Sequence, residues 1–149
     1  MSMGGIDMPI KKLYLELTDR CNLNCKMCYR KSWEQDFCDM DEGMLIKLTD
    51  EMKIHPDLKE IVIGGIGEPT CSKHFRKAIE LLKNYKITVT TNGTLINEEL
   101  AEHFIKYVDV VTISIDGLFD IYKEIRGINL DLIVENIRLL NRMKSKFSL

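Results

Sequence analysis

Three thiols fall within eight positions of one short stretch, Thr18 to Arg30, which reads Thr-Asp-Arg-Cys-Asn-Leu-Asn-Cys-Lys-Met-Cys-Tyr-Arg. Cys21, Cys25 and Cys28 are separated by three and then two residues, so they can converge on one inorganic centre with little backbone strain. Thiolate is the ligand that iron–sulfur clusters require, and three ligands on a cluster of four irons leave one iron open to a substrate or cofactor. A structural zinc site built from the same thiols and Cys38 is the competing chemistry, and it would make the chain a binding or scaffold module. Zinc ribbons, however, usually supply paired C-x-x-C knuckles. Cys38 and Cys71 otherwise read as ordinary half-buried thiols.

Three further stretches are rich in glycine and small polar residues: Gly64 to Thr70, Thr91 to Thr94 and Ser114 to Gly117. Taken singly they are weak signals. Asn92-Gly93 and Asp116-Gly117 alone suit simple turns, and Glu68-Pro69 argues against a phosphate cradle in the first of them. Their value lies in what precedes each one.

Leu13, Leu15 and Leu17 alternate with Tyr14 and Glu16, the period of a half-buried strand, so the cysteines should lie in a loop at a strand's carboxyl end. That is where open α/β sheets place their chemistry. Asp41 then precedes Met44, Leu45, Leu48 and Met52 at helical spacing, and His55-Pro56 stops the helix. Ile61 to Ile63 give a short buried strand, followed by a helix over about 73–84. Lys86 to Thr91 form a third strand, and Asn97 caps a helix bearing Leu100, Ala101, Phe104 and Ile105. Asp109 to Ile115 form a fourth, followed by a short helical turn and a last helix capped by Asn129 or Asp131. Four strand–helix units without hairpin signals predict a parallel sheet with right-handed crossovers, either doubly wound or an arc of a barrel. Both arrangements bring the cysteine loop and the three small-residue stretches to one rim.

The whole chain sets outer bounds. Its 149 residues suffice for one domain, read as residues 12–149 behind a flexible lead at 1–11. Lys+Arg number 21 against Asp+Glu 23, which leaves no basic face for nucleic acid. No apolar run approaches the ~20 residues a membrane span needs, and the first residues lack the layout of a signal peptide. Five cysteines, an odd number, suit a reducing compartment, so the cytoplasm is the expected location. His55, His74 and His103 show no metal-ligand spacing.

In order, Cys21-xxx-Cys25-xx-Cys28, Gly65-Ile66-Gly67-Glu68-Pro69, Thr91-Asn92-Gly93 and Ser114-Ile115-Asp116-Gly117 resemble the radical S-adenosylmethionine (radical SAM) superfamily over roughly residues 13–127. The resemblance implies a partial parallel (β/α) barrel and two cofactors, a 4Fe-4S cluster on the three cysteines and S-adenosylmethionine chelating its open iron. An electron from the cluster would cleave the sulfonium to a 5′-deoxyadenosyl radical, which abstracts hydrogen from substrate. It further implies that Ile66, Gly67 and Glu68 receive the cofactor's amino group, the last through its carboxylate. Ser114 and Asp116 would bond the ribose hydroxyls with Asn92 nearby, and Arg126 would meet the cofactor carboxylate.

Two departures stand out. Met27 occupies a position that is often aromatic in the family, where a thioether can fill the same gap. The family's barrel normally has six strand–helix units and this chain supplies about four, which implies the N-terminal part of a core domain. Its last strand would then offer an unpaired edge for self-association. Cys28 to Trp33, followed by Asp39-Met40, look most like maturases of tungsten-containing oxidoreductases, of the SPASM/twitch-type group. The C-terminal extension that carries auxiliary clusters in that group is expected to lie beyond these 149 residues. Relatives that modify peptides or anaerobic sulfatases share nearly all these motifs. The implied partners are a protein, peptide or metallocofactor substrate and an electron donor such as a ferredoxin or flavodoxin. Substrate-contacting residues in this superfamily come largely from later strands.

Overall fold

The computed structural model describes residues 9–147 apart from Trp33 and Gln35. Most of the N-terminal lead, and the Trp33 that contributes to the maturase resemblance, lie outside the described residues. The chain runs β1 (Lys12–Leu15), α1 (Glu42–Met52), β2 (Glu60–Ile63), α2 (Phe75–Leu81), β3 (Lys86–Thr91), α3 (Glu98–Tyr107), β4 (Val110–Ile113), α4 (Phe119–Arg126) and α5 (Leu130–Phe147). Short 3-10 turns occupy Tyr29–Ser32 and Pro69–Cys71.

The four strands form one parallel sheet in the order β1-β2-β3-β4, each pairing with its sequence neighbour. This is the expected α/β architecture, an arc of a barrel that does not close. Alternation decides the faces. Leu15, Ile61, Ile63, Ile87 and Val89 point to one side and are buried there with Leu45 and Met52 of α1, Phe75 and Ile79 of α2, and Leu100 and Phe104 of α3. Phe75 and Phe104 meet edge to face with centroids 5.9 Å apart, a geometry that adds to their burial. The opposite face, carrying Tyr14, Val62, Thr88 and Thr112, is exposed or half-buried. With helices on one side only, the sheet leaves a concave wall open.

Helix starts follow local chemistry. Asp41 Oδ1 accepts from Met44 N at 2.9 Å and Asn97 Oδ1 accepts from Leu100 N at 2.9 Å, caps that contribute about 1 kcal/mol each. Elements differ from expectation mainly at their ends. β1 stops at Leu15, and Leu17 is buried by turning inward, where its carbonyl accepts from Met40 N. The second helix is a compact seven residues. The expected helical turn before the last helix is a full helix, α4, closed by Gly127 at φ +80, the left-handed stop that glycine adopts freely. Asp131 lies inside the first turn of α5 and so is not its cap.

Tyr122 of α4 packs with Leu130 and Ile133 of α5 in a second small core. Asn136 of α5 donates to the carbonyls of Gly93 (2.8 Å) and Thr94 (3.3 Å), which fixes the loop after β3. Among the described residues, no helix is long and apolar enough to cross a membrane.

Candidate active site

The cysteine loop is tied at both ends before its thiols come into play. Thr18 and Asp39 form an isolated antiparallel bridge, Thr18 Oγ1 donates to the Cys38 carbonyl (3.1 Å), and Cys38 N donates to Asp19 Oδ1 (2.6 Å). Arg30 reaches back across the loop to the carbonyls of Asp19 (3.3 Å) and Leu23 (3.2 Å), while its guanidinium lies 4.9 Å from the Phe37 ring centroid. Lys26 N donates to the Ile125 carbonyl at 2.8 Å, and Lys26 Nζ pairs with Glu124 at 2.9 Å. The loop is thereby stitched to α4, about a hundred residues later.

The loop after β2 lies directly against it. A Cβ on Gly67 would overlap the Thr18 carbonyl oxygen and sit 2.7 Å from that of Arg20. Only glycine allows this approach. Glu68 N donates to the Arg20 carbonyl at 2.7 Å, and Glu16 Oε1 accepts from the amides of Ile66 and Gly67.

These loops enclose a cavity of about 430 Å³ at the carboxyl rim of the sheet, a size typical of small-molecule sites. Cys21, Cys25 and Cys28 line it together with Ile66, Gly67, Glu68, Asn92, Ser114 and Arg126. Nine of the ten expected site residues therefore face one space. Asp116 does not line it but pairs with the Arg126 guanidinium through Nε and Nη2.

Two of the side chains that line the cavity, Glu68 and Asn92, are also engaged within the protein. Glu68 is 3% exposed, so its carboxylate is buried with it. It accepts from Thr70 N (3.2 Å), Thr70 Oγ1 (2.6 Å), Thr91 Oγ1 (2.6 Å) and Asn92 N (2.7 Å). A carboxylate has about four acceptor positions, so this one is spent on joining the loop after β2 to the end of β3. Asn92 is likewise occupied. Its Nδ2 donates to Asn22 Oδ1 (2.9 Å) and lies 3.8 Å from Cys21 Sγ, while its Oδ1 holds Thr94 N and Oγ1.

The thiols of Cys21, Cys25 and Cys28 are free. Burial pushes the Cys25 thiol above its ordinary pKa, opposed by the Arg126 guanidinium and reinforced by Cys21 and Cys28. Burial acts to lower the Arg126 pKa, but hydrogen bonding and attraction to Asp116 outweigh it and the value is raised. Among the described residues, no three His, Cys, Asp or Glu side chains form a ligand set for a single metal ion. Cys38 is exposed and opens on a separate cavity with Glu16, Asp39 and Asp41, so the four-thiolate arrangement is not assembled. Cys71 is half-buried as expected, and burial raises its thiol pKa too.

The donor set fits an iron–sulfur cluster. Three soft sulfur ligands share one cavity wall with a guanidinium suited to a carboxylate. Beside them, the buried Tyr122 hydroxyl has no hydrogen-bond partner among the described residues. Sequence reasoning missed Glu16, Asn22, Thr91 and Tyr122. Of these, Thr91 carried a signal as part of the Thr91-Asn92-Gly93 motif, and Asn22 by lying between two of the cysteines.

Comparison with known proteins agrees with this geometry. The family model described as the radical SAM superfamily matches residues 15–148. The chain is 40% identical over 112 residues to the tungsten-containing aldehyde ferredoxin oxidoreductase cofactor-modifying protein of Pyrococcus furiosus, covering 73% of this chain and 32% of that protein. It is 30% identical over 142 residues to the GTP 3′,8-cyclase of Staphylococcus carnosus, covering 87% and 42%. Among solved structures, anSMEcpe with bound AdoMet superposes with a TM-score of 0.75 at 26% identity, covering 92% of this chain and 42% of that one. Streptococcus suis SuiB bound to S-adenosylmethionine gives 0.72 at 20% identity, covering 88% and 31%, and speaks for the fold alone. The chain thus spans about a third to under a half of the length of these relatives. With a family match that takes in the thiol loop and all four strands' rim loops, the chain belongs to the radical SAM superfamily.

Proposed function

We propose that this chain is the N-terminal, cofactor-binding part of a radical SAM enzyme core that acts in maturation of a tungsten enzyme or its cofactor. The observation that carries the proposal is the single cavity shared by three free thiols, the Gly67 loop and the Arg126 guanidinium. Cys21, Cys25 and Cys28 hold a 4Fe-4S cluster. The backbone carbonyls of Ile66 and Gly67 accept from the amino group of S-adenosylmethionine, Arg126 meets its carboxylate, and Ser114 meets its ribose. When bound, cluster and cofactor supply reductive cleavage of the sulfonium and hydrogen abstraction from substrate.

The protein's own contribution is placement. Arg30 and the Thr18–Asp39 bridge hold the thiol loop, and the Glu68 knot holds the two neighbouring loops. The tungsten assignment is supported by the 40% identical cofactor-modifying relative. A ferredoxin or flavodoxin in the cytoplasm is the corresponding electron donor. A peptide substrate is the second reading, supported by anSMEcpe, 25% identical, which is solved with AdoMet and the Cp18Cys peptide. The outer edge of β4, which pairs only with β3 among the described residues, is the place for further strands or a second copy.

The test is anaerobic reconstitution with iron and sulfide, then EPR of the reduced protein with and without S-adenosylmethionine. A cluster signal that changes on adding the cofactor and is lost in Cys25→Ala supports the proposal. A metal-loaded protein with no response to the cofactor refutes it.

A further inference from the structure

The resemblance implies that Asn92 lies near the cofactor ribose; its side chain lines the cavity and is held by Asn22 and Thr94. We propose that Asn92 is a positioning residue that donates an N–H to the Cys21 sulfur and so raises the reduction potential of the cluster. The inference rests on the three-cysteine cluster of the proposed function.

The orientation of this amide is determined by its neighbours. Asn92 is 5% exposed. Its Oδ1 accepts from Thr94 N (2.9 Å) and Thr94 Oγ1 (2.7 Å). Flipping the amide would set its NH2 against the Thr94 N–H, which can only donate. The Nδ2 group must therefore face Asn22 and Cys21, and its two hydrogens have two acceptors there: Asn22 Oδ1 at 2.9 Å and Cys21 Sγ at 3.8 Å. The Asn92 backbone is pinned from behind by Glu68 Oε2 at 2.7 Å. Leu23 N supplies a second donor to the same sulfur at 3.4 Å.

A hydrogen bond to a ligating sulfur stabilises the more negative, reduced cluster over the oxidised one, which raises the potential. Burial strengthens the effect by lowering the local dielectric. Because Thr94 and Glu68 hold the amide in place, the donor is preorganised and does not need recruiting on reduction. Asn22 accepts from the same NH2 group and donates to Thr94 Oγ1 at 2.7 Å, so it braces Asn92 without itself donating to the sulfur.

The experiment is a mediated potentiometric titration of the reconstituted chain, with dithionite supplying the single electron and EPR reading the reduced cluster. It is run on wild type, Asn92→Ala and Asn22→Ala. At the wild-type midpoint the reduced-to-oxidised ratio should fall about tenfold in Asn92→Ala, about 59 mV for a one-electron couple, and by less than about threefold in Asn22→Ala. In parallel, wild-type protein carrying 15N in its asparagine side chains should show a nitrogen coupling to the reduced cluster that persists in Asn22→Ala. Equal midpoints for wild type and Asn92→Ala overturn the inference while leaving the cluster assignment standing. If Asn92→Ala assembles no cluster, the labelled wild type decides: the coupling supports the inference and its absence overturns it. A wild type that assembles no cluster overturns the proposed function and this inference together.

Discussion

Glu68→Gln is the substitution whose outcome the structure fixes most tightly. The wild-type carboxylate accepts four hydrogen bonds in a buried setting. The amide keeps one oxygen, which does best at the Oε1 position where three donors converge. Its NH2 then faces Asn92 N–H, donor against donor, and that buried N–H loses its partner at a cost of about 1–3 kcal/mol. The three retained bonds lose their charge assistance, which roughly doubles such bonds, so another ~1 kcal/mol goes. The expected loss is about 2–4 kcal/mol, read as a lower urea midpoint at unchanged m-value. For a chain of this size each kcal/mol lowers Tm by about 2–4 °C. Hydrogen exchange at the Asn92 amide should accelerate with it. A Glu68→Gln protein within about 0.5 kcal/mol of wild type would refute the knot and return the carboxylate to a purely ligand-facing role.

Other substitutions probe neighbouring parts of the site. Gly67→Ala forces a methyl against the Thr18 and Arg20 carbonyls and should cost about 1–3 kcal/mol in urea unfolding. Gly127→Ala, at φ +80 with open space around it, should cost only about 1 kcal/mol; a smaller loss at Gly67 than at Gly127 would contradict the close approach of the two loops. Tyr122→Phe removes a buried hydroxyl that has no partner among the described residues and should leave urea stability at neutral pH equal or higher, whereas a loss above about 1 kcal/mol would reveal a hidden hydrogen bond. Burial raises the Tyr122 pKa in the fold, so wild type should lose stability as pH climbs past the unfolded value of about 10, and Tyr122→Phe should lose less. Arg126→Lys keeps the charge but not the fork, and should weaken S-adenosylmethionine binding about tenfold by calorimetry; unchanged affinity would detach Arg126 from the cofactor carboxylate.

The parts of the site that were legible in the sequence are those whose information is local. The spacing of Cys21, Cys25 and Cys28, the alternation that buries Ile61 and Ile63, and the caps at Asp41 and Asn97 each depend on residues a few positions apart. The hidden parts depend on register between strands. Glu16 reads as an outward-facing strand residue, yet its carboxylate gathers the amides of Ile66 and Gly67 fifty residues on. Glu68 suits a ligand until Thr91 and Asn92 arrive from the next strand. Asp116 and Arg126 were assigned to different parts of one ligand, and only α4 shows that they pair with each other. In that helix Tyr122 is buried while Phe119 and Ile121 are exposed, a division that its eight residues alone do not announce.

The bond from Lys26 N to the Ile125 carbonyl has a consequence for biosynthesis. The thiols leave the ribosome early, but the peptide group that anchors their loop is made about a hundred residues afterwards. At ~5–20 residues per second, that is an interval of ~5–20 s. Throughout it the three sulfurs lie on a loop held by its local ties alone and not yet joined to α4, more open to oxidants and to mismatched metal ions. On the proposed cluster assignment, correct loading is a late event in the life of the chain, set by the emergence of α4 and not by that of the cysteines. A nascent chain stalled before Ile125 should react with thiol reagents at Cys25 far faster than one released after it.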